Sequence, residues 1–403
     1  MSISWFVPYS GIDHAGGELL RRHLQALLHD YEVALFAPDE GHNLTPGDTH
    51  DPESVSVFKL GGTILSHKWM RPARKTLSFL KGATLGSDFE LAAHRSRVLK
   101  NHLRAASVVE FQWIESASLA GWVRRIAPTA KQVLIVHDLN SQRWARLIEH
   151  EPKRSRRMVA RVRAWLSNRT EARVLRSVDH IVVLSDKDRD LVKAVCERAT
   201  VSVINPPLGV EGTETRAVVT PASSASRVLF VGAFGRPENS EGALWLIKEV
   251  WERVRRQVPD ATLILAGSKP PPWLVDAAES SEGVLVTGYV DDLSPYFKQA
   301  DVFVAPLFRG AGVKFKTITA MLHCVPVVST TVGAEGISNA SSYVSIVNDA
   351  DGFADGIISG LTNMAAREAA VKSAFQWCEG RFGEEKFADV IGQLYHRIEQ
   401  SSR

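Results

Sequence analysis

DVFVAPLFRGAGVKFKTITAMLHCVPVVSTTVGAEGI, residues 301 to 337, is the stretch on which the fold turns. A short apolar run ends at Pro306, a Gly-Ala-Gly turn spans 310 to 312, helical spacing covers about 313 to 323, and Pro326-Val327-Val328 begins another strand. Strand, glycine turn, helix, strand is the repeating unit of a parallel sheet, in which the helix start offers free backbone N–H groups at the sheet's carboxyl edge. Lys314 and Lys316 fall in the first turns of that helix, and Arg309 stands just before it. The helix macrodipole disfavours cations there, so three of them make sense opposite a pyrophosphate that brings the missing negative charge. The alternative is a set of solvated surface lysines.

Working outward, the same alternation recurs in two series, which predicts an α/β protein with parallel sheets. The second series has strands at 227–232, 261–266, 284–287, 302–306 and 326–329, with helices at about 241–257, 313–323 and 351–377. The first has strands at 3–8, 31–37, 108–111, 132–137 and 180–184, with its clearest helix at 16–28. Between the series lies VVTPASSAS, residues 218 to 226, a linker by composition; the boundary falls there or near Pro206-Pro207. The expected division is 1–217, a linker at 218–226, 227–380, and a C-terminal helix at 381–403 that packs back on the first domain. The segment from about 42 to 104 is less regular and carries HKWMRPARKTLSFLKG, a candidate binding loop.

Two further loops point to ligands. The first strand runs into PYSGIDHAGGELL, where Gly16 and Gly17 open a helix in the position of a phosphate or acceptor contact, although turns also use glycine for its backbone freedom alone. RVLFVGAFGRPEN repeats the arrangement in the second series and sets Arg236 and Asn239 beside the loop. His137 and Asp138 end the strand QVLIVHD at the carboxyl edge, where ligands of open α/β sheets collect. A neutral imidazole there can donate to a sugar hydroxyl or leaving oxygen, with Asp138 fixing its tautomer or acting separately; otherwise the pair caps the next helix.

The chain of 403 residues is 45% hydrophobic and 23% charged, long enough for two sizeable cores. Cys196, Cys324 and Cys378 are far apart and unpaired in pattern, which excludes a disulfide framework or zinc site and fits a reducing compartment. The amino terminus lacks a signal-peptide pattern, and no run of about 18 apolar residues occurs. The net charge of +3 hides an asymmetry: the first 205 residues hold 30 Lys and Arg against 22 Asp and Glu, the rest 18 against 23. The front half therefore either faces something anionic or is simply solvated.

The pattern resembles the family 4 group of GT-B glycosyltransferases, also described as glycosyl transferases group 1. The resemblance is carried by LFVGAFGRPEN, PDATLILAG, VLVTGYVDDLSPYFKQADVFVAPLFRGAGVKFKTITAM and PVVSTTVGAEGI, and less strongly by AGGELLRRHL, IVHDL and DHIVVLSDKDRDLV. It implies two Rossmann-like domains facing across a cleft, and a retaining enzyme that uses a UDP- or GDP-linked sugar without cofactor or metal. It further implies that Gly16 and Gly17 line the cleft, that His137 lies near the transferred sugar, that Val290 borders the base, and that the turn from Gly310 through Gly312 to Lys314 and Lys316 holds the pyrophosphate. Two departures stand out. The family's paired glutamates are replaced by Ala311 and Thr319, leaving Glu335 as a nearby substitute, and its Arg and Lys after the second domain's first strand are absent, leaving Arg236, Arg309, Lys314 and Lys316 to share the task.

Residues 153–176, KRSRRMVARVRAWLSNRTEARVLR, hold nine basic side chains and one acid, with Met158, Val162, Trp165 and Leu166 on one helical stripe. Such a helix either lies on anionic lipid or packs its stripe on the core. Nucleic acid is not expected, since no binding module accompanies the basic run. The reading is a cytoplasmic enzyme, peripheral on the inner face of the membrane, that transfers a sugar to a glycan or lipid-linked acceptor in envelope or exopolysaccharide synthesis. The missing glutamates leave open a non-catalytic GT-B-fold glycan or partner binder, and a sugar-nucleotide epimerase or hydrolase on the same fold is the third reading.

Overall fold

The computed structural model describes residues 1–8, 15–39, 43, 55–63, 70, 87–150, 153–208, 226–310, 313–337, 339–378 and 381–400. The chain divides into two units, one formed by Met1–Pro207 with Glu384–Arg403 and the other by Leu208–Gly383. The division falls beside Pro206-Pro207. The sequence linker at 218–226 lies outside the described residues except for Ser226, and so does nearly all of the 67–82 basic loop.

Unit 1 is a seven-stranded sheet in the order β3-β2-β1-β4-β5-β6-β7, with β1 Ser2–Ile3, β2 Ala34–Pro38, β3 Ser56–Leu60, β4 Val108–Gln112, β5 Lys131–Val136, β6 His180–Val183 and β7 Val201–Val203. Every neighbouring pair is parallel. Parallel strands are covered on both faces, which is why β4 is buried at all five positions although it reads VVEFQ. Val109 and Phe111 point into an apolar core shared with Ile3, Phe36, Leu134 and Val183. Glu110 and Gln112, two residues apart, share the opposite face.

Unit 2 is a six-stranded parallel sheet in the order β10-β9-β8-β11-β12-β13, with β8 Arg227–Val231, β9 Thr262–Ala266, β10 Val284–Gly288, β11 Val302–Ala305, β12 Val327–Ser329 and β13 Ser345–Ile346. Phe230, Leu246, Trp251, Val302, Val304 and Phe353 fill the core on one side, each worth roughly 1.5–3 kcal/mol when fully buried. Gly242 lies so close to the end of β11 that an added Cβ would stand 2.1 Å from the Pro306 carbonyl oxygen.

Three expectations change. The helix predicted over 351–377 is two, Ala350–Thr362 and Met364–Cys378, because Asn363 turns extended and its side-chain oxygen accepts from the Ala366 N–H to start the second. The helix predicted from 313 begins at Phe315, with Lys314 at its N-cap. The strand expected over 3–8 is confined to Ser2–Ile3; beyond it, Asn43 holds the chain by accepting from the Val7 N–H at 2.9 Å and donating to the Trp5 and Pro38 carbonyls. The helix Glu384–Gln400 belongs to unit 1. No helix among the described residues is long and apolar enough to cross a membrane.

Candidate active site

In a doubly wound sheet, ligands bind outside the carboxyl ends of the strands where the strand order reverses. In unit 2 that point lies between β8 and β11, and two helices start there. Pro237–Trp245 follows β8 with Arg236 at its N-cap, and Phe315–Leu322 follows β11. The loop after β8 is pinned by close backbone approach. Gly267 has φ +147° and would clash with the Gly232 carbonyl if it carried a side chain.

Asn239, buried in the first turn of its helix, organises the site. Its Nδ2 donates to the Ala233 carbonyl at 2.9 Å, so its Oδ1 faces outward and accepts from Lys316 Nζ at 2.7 Å. The same ammonium sits 4.6 Å from the centre of the buried Phe230 ring. Burial in this setting, together with the nearby charges of Lys314 and Arg236, pulls the Lys316 ammonium down from 10.5 to about 7, against a smaller opposing pull from Glu238. Gly310, with φ +103°, turns the chain beside Glu238 and Lys314, and Arg309 forms an ion pair with Glu241.

Arg236, Asn239, Arg309, Gly310, Lys314 and Lys316 are thus brought together around two helix starts, a concentration of positive charge suited to a diphosphate. Gly312 and Ala311 lie outside the described residues. Thr319 donates its hydroxyl to the Phe315 carbonyl at 3.0 Å, so that proton is already used within the helix. Glu335 lies in the turn after β12. That turn is tied back to β11, with Thr330 donating to the Leu307 carbonyl and accepting from the Gly333 N–H. Val290 follows β10 at the edge of the sheet, two strands from β8.

In unit 1 the switch point lies between β1 and β4. His137, buried, directly follows β5, and Asp138 beside it is exposed. Sequence reasoning missed the residues that hold the imidazole. Trp113, just past β4, stacks on it with centroids 4.1 Å apart and planes at 13°, and Phe6 meets the same indole edge-on at 5.3 Å. Trp113 has φ +68°, an uncommon backbone conformation for an aromatic residue and one that marks a constrained site. Gln112 Oε1 lies 2.9 Å from His137 Nε2. Gly16 and Gly17 sit in the first turn of the helix Ala15–Leu27, and the loop before it, 9–14, lies outside the described residues.

Residues 225–363 match the family described as "Glycosyl transferases group 1". A protein of Klebsiella pneumoniae, described as an uncharacterized 44.6 kDa protein in the cps region, is 30% identical over 172 residues, which span 41% of this chain and 44% of that one. The chain thus matches less than half the length of that curated relative. Sucrose-phosphate synthase from Thermosynechococcus elongatus has a similar structure, with TM-score 0.70 at 18% identity over all of both chains. The Anabaena protein HepE, solved with UDP and glucose, has TM-score 0.66 at 13% identity over 98% of this chain and 100% of that one. At such identities the likeness speaks for the fold. Two parallel doubly wound sheets and these structural matches give the chain the GT-B fold, and within it residues 225–363 match the glycosyl transferases group 1 family.

Proposed function

We propose that this protein is a retaining glycosyltransferase that takes a sugar from a UDP- or GDP-linked donor bound by unit 2 and passes it to a glycan or lipid-linked acceptor bound by unit 1. The observation that carries the reading is the cluster of Lys314, Lys316, Arg309 and Arg236 around Asn239 at the switch point of the second sheet. Leaving-group charge develops on the diphosphate as the anomeric C–O bond breaks. Fixed ammonium groups and helix N–H groups offset it without a metal ion. The acceptor oxygen forms its bond to the anomeric carbon on the face the diphosphate leaves, and its proton passes to the departing phosphate oxygen.

The role in envelope or exopolysaccharide synthesis is supported by the cps-region relative. A location on the inner face of the membrane is supported by the helix Arg154–Leu175, whose Met158, Val162 and Trp165 are 58%, 42% and 56% exposed among its arginines. Its inward contacts are made by Ala160, Ser167, Thr170 and Val174 instead, and buried Glu171 accepts from the Ser141 N–H at 3.2 Å.

A panel of UDP, GDP, ADP and their common sugars, followed by thermal shift and by nucleotide release with and without acceptors, tests the reading. Binding of one nucleotide class with acceptor-dependent release is expected. Binding of none overturns it, and release without acceptor favours a hydrolase. NMR of the product should show the donor's anomeric configuration kept.

A further inference from the structure

The helix Arg154–Leu175 carries a line of side chains that changes character half-way along it. Met158, Val162, Trp165, Arg169 and Arg173 follow one another at three- or four-residue steps and so fall on one side of the helix. The apolar part, Met158 to Trp165, is about 10 Å long, and the cationic part, Trp165 to Arg173, about 12 Å. All three apolar members are exposed.

The cationic half lines a cavity of about 700 Å³ on unit 1. Trp122 and Arg125 line it from the helix Ala120–Ile126, and Glu90 from the helix Ser87–Arg95. Trp165 belongs to both the exposed line and the cavity wall, so the two are continuous, and the Arg169 guanidinium lies 4.7 Å from the centre of its ring. Among the described residues no carboxylate pairs with Arg125, Arg169 or Arg173; Arg125 donates to the Gly121 carbonyl at 3.3 Å. Three guanidinium groups against the one carboxylate of Glu90, which is 8% exposed and accepts from Ser118 Oγ at 3.1 Å, leave the cavity positive. Such arginines take a phosphate through two parallel N–H bonds. A bare phosphate would leave most of the space empty, and an acceptor-only carboxylate on the wall suits hydroxyls on the same head group. An acidic glycan would answer the arginines but leave the Met158, Val162 and Trp165 line uncovered. An amphiphile answers both, with indoles at the level where hydrocarbon gives way to head group.

We propose that this cavity binds the head group of a single anionic phospholipid whose phosphate carries a hydroxylated substituent, with the acyl chains leaving past Trp165 towards Val162 and Met158. The proposal rests on the place at the membrane proposed above and not on the transfer reaction. It puts a saturable site, one lipid to each chain, where a basic helix alone would give only diffuse attraction to a charged surface.

Titration calorimetry of the full chain with dihexanoyl-phosphatidylglycerol below its micellar concentration reads the site without a bilayer. Saturable binding of one lipid per chain is expected, at least about tenfold tighter than that of dihexanoyl-phosphatidylcholine. Gly121 lines the cavity and an added Cβ there meets nothing within 4 Å, so Gly121→Phe puts a ring into the cavity without displacing a neighbour. That variant, and separately Arg169→Gln combined with Arg173→Gln, should each weaken binding at least about tenfold with the thermal unfolding temperature unchanged. No saturable binding, equal affinity for the two lipids, or wild-type affinity in either folded variant overturns the proposal. Tighter binding of oligogalacturonate, an acidic oligosaccharide, than of the lipid also overturns it. Wild type that floats with phosphatidylglycerol vesicles yet does not bind the short-chain lipid leaves the membrane location standing and removes the cavity's part in it, and failure of both measurements removes both.

Discussion

Raising the pH from 7 to 9 removes the proton from Lys316 in the free protein, because burial against Phe230 and the neighbouring charges of Lys314 and Arg236 have brought its ammonium down to about 7. A bound diphosphate supplies two or more negative charges and favours the protonated lysine, so the complex binds one more proton than the free protein above pH 7. Association must then weaken as pH rises through that window. About half of the free protein carries the proton at pH 7 and about one part in a hundred at pH 9, so affinity falls roughly 50-fold, equivalent to about 2.3 kcal/mol. The second ionisation of a phosphate lies near about 6 and is complete across most of this range, so the ligand adds little slope of its own. Titration calorimetry of the nucleotide diphosphate in two buffers of different ionisation enthalpy measures the proton uptake, about half a proton at pH 7 and close to one by pH 9. Lys316→Met should bind more weakly at pH 7 and lose the slope. Flat affinity between pH 7 and 9 with no proton uptake would show that Lys316 does not face the diphosphate.

Gly242→Ala should lower stability by about 2–3 kcal/mol in urea unfolding, since its Cβ would fall 2.1 Å from the Pro306 carbonyl; a cost under about 1 kcal/mol would mean the helix start can shift freely. Glu110 has a depressed carboxyl, so its contribution is present above the unfolded value near 4.5 and is lost as pH falls from about 5 to about 2. Tyr395→Phe removes one of its donors and should cost about 1–3 kcal/mol at pH 7 while making acid unfolding less steep across that window; an unaltered acid profile counts against the network. Replacing Arg161, Arg163 and Arg169 by Gln should reduce flotation with phosphatidylglycerol vesicles at about 1 kcal/mol per arginine, and salt should do the same to wild type. Flotation equal to wild type removes the membrane reading.

The apolar strands inside the sheets were legible because they bury both faces. β11, VFVA, and β12, VVS, sit where the glycine turn and Pro326 put them. β1, β7 and β13 were lost or misjudged because two or three residues at an edge, or beside a loop latched by Asn43, leave almost no periodicity to read. The cationic cluster of unit 2 could be read from charges placed against a helix dipole. Asn239's part in it could not, since that depends on which way an amide points. In unit 1 the signal was present: two polar residues at alternate positions of VVEFQ mark one face of an otherwise buried strand, the usual trace of an internal hydrogen-bond network. The backbone twist at Trp113 leaves no such trace.

The helix Glu384–Gln400 has a consequence for the order in which the chain can be completed. It supplies Tyr395 to Glu110, and Glu399 to Ser107 at 2.7 Å, yet it is encoded after all of unit 2. During synthesis the sequence of unit 2 is made while unit 1 still lacks a wall of its own core, with the Glu110 carboxylate missing a donor. At elongation rates of about 5–20 residues per second, making Leu208–Gly383 takes on the order of ten seconds or more, and unit 1 waits through it for its last helix. The amino-terminal unit is therefore the last to be completed, and a chain truncated at Gly383 should show unit 2 protected from protease while unit 1 is cut faster than in the full chain.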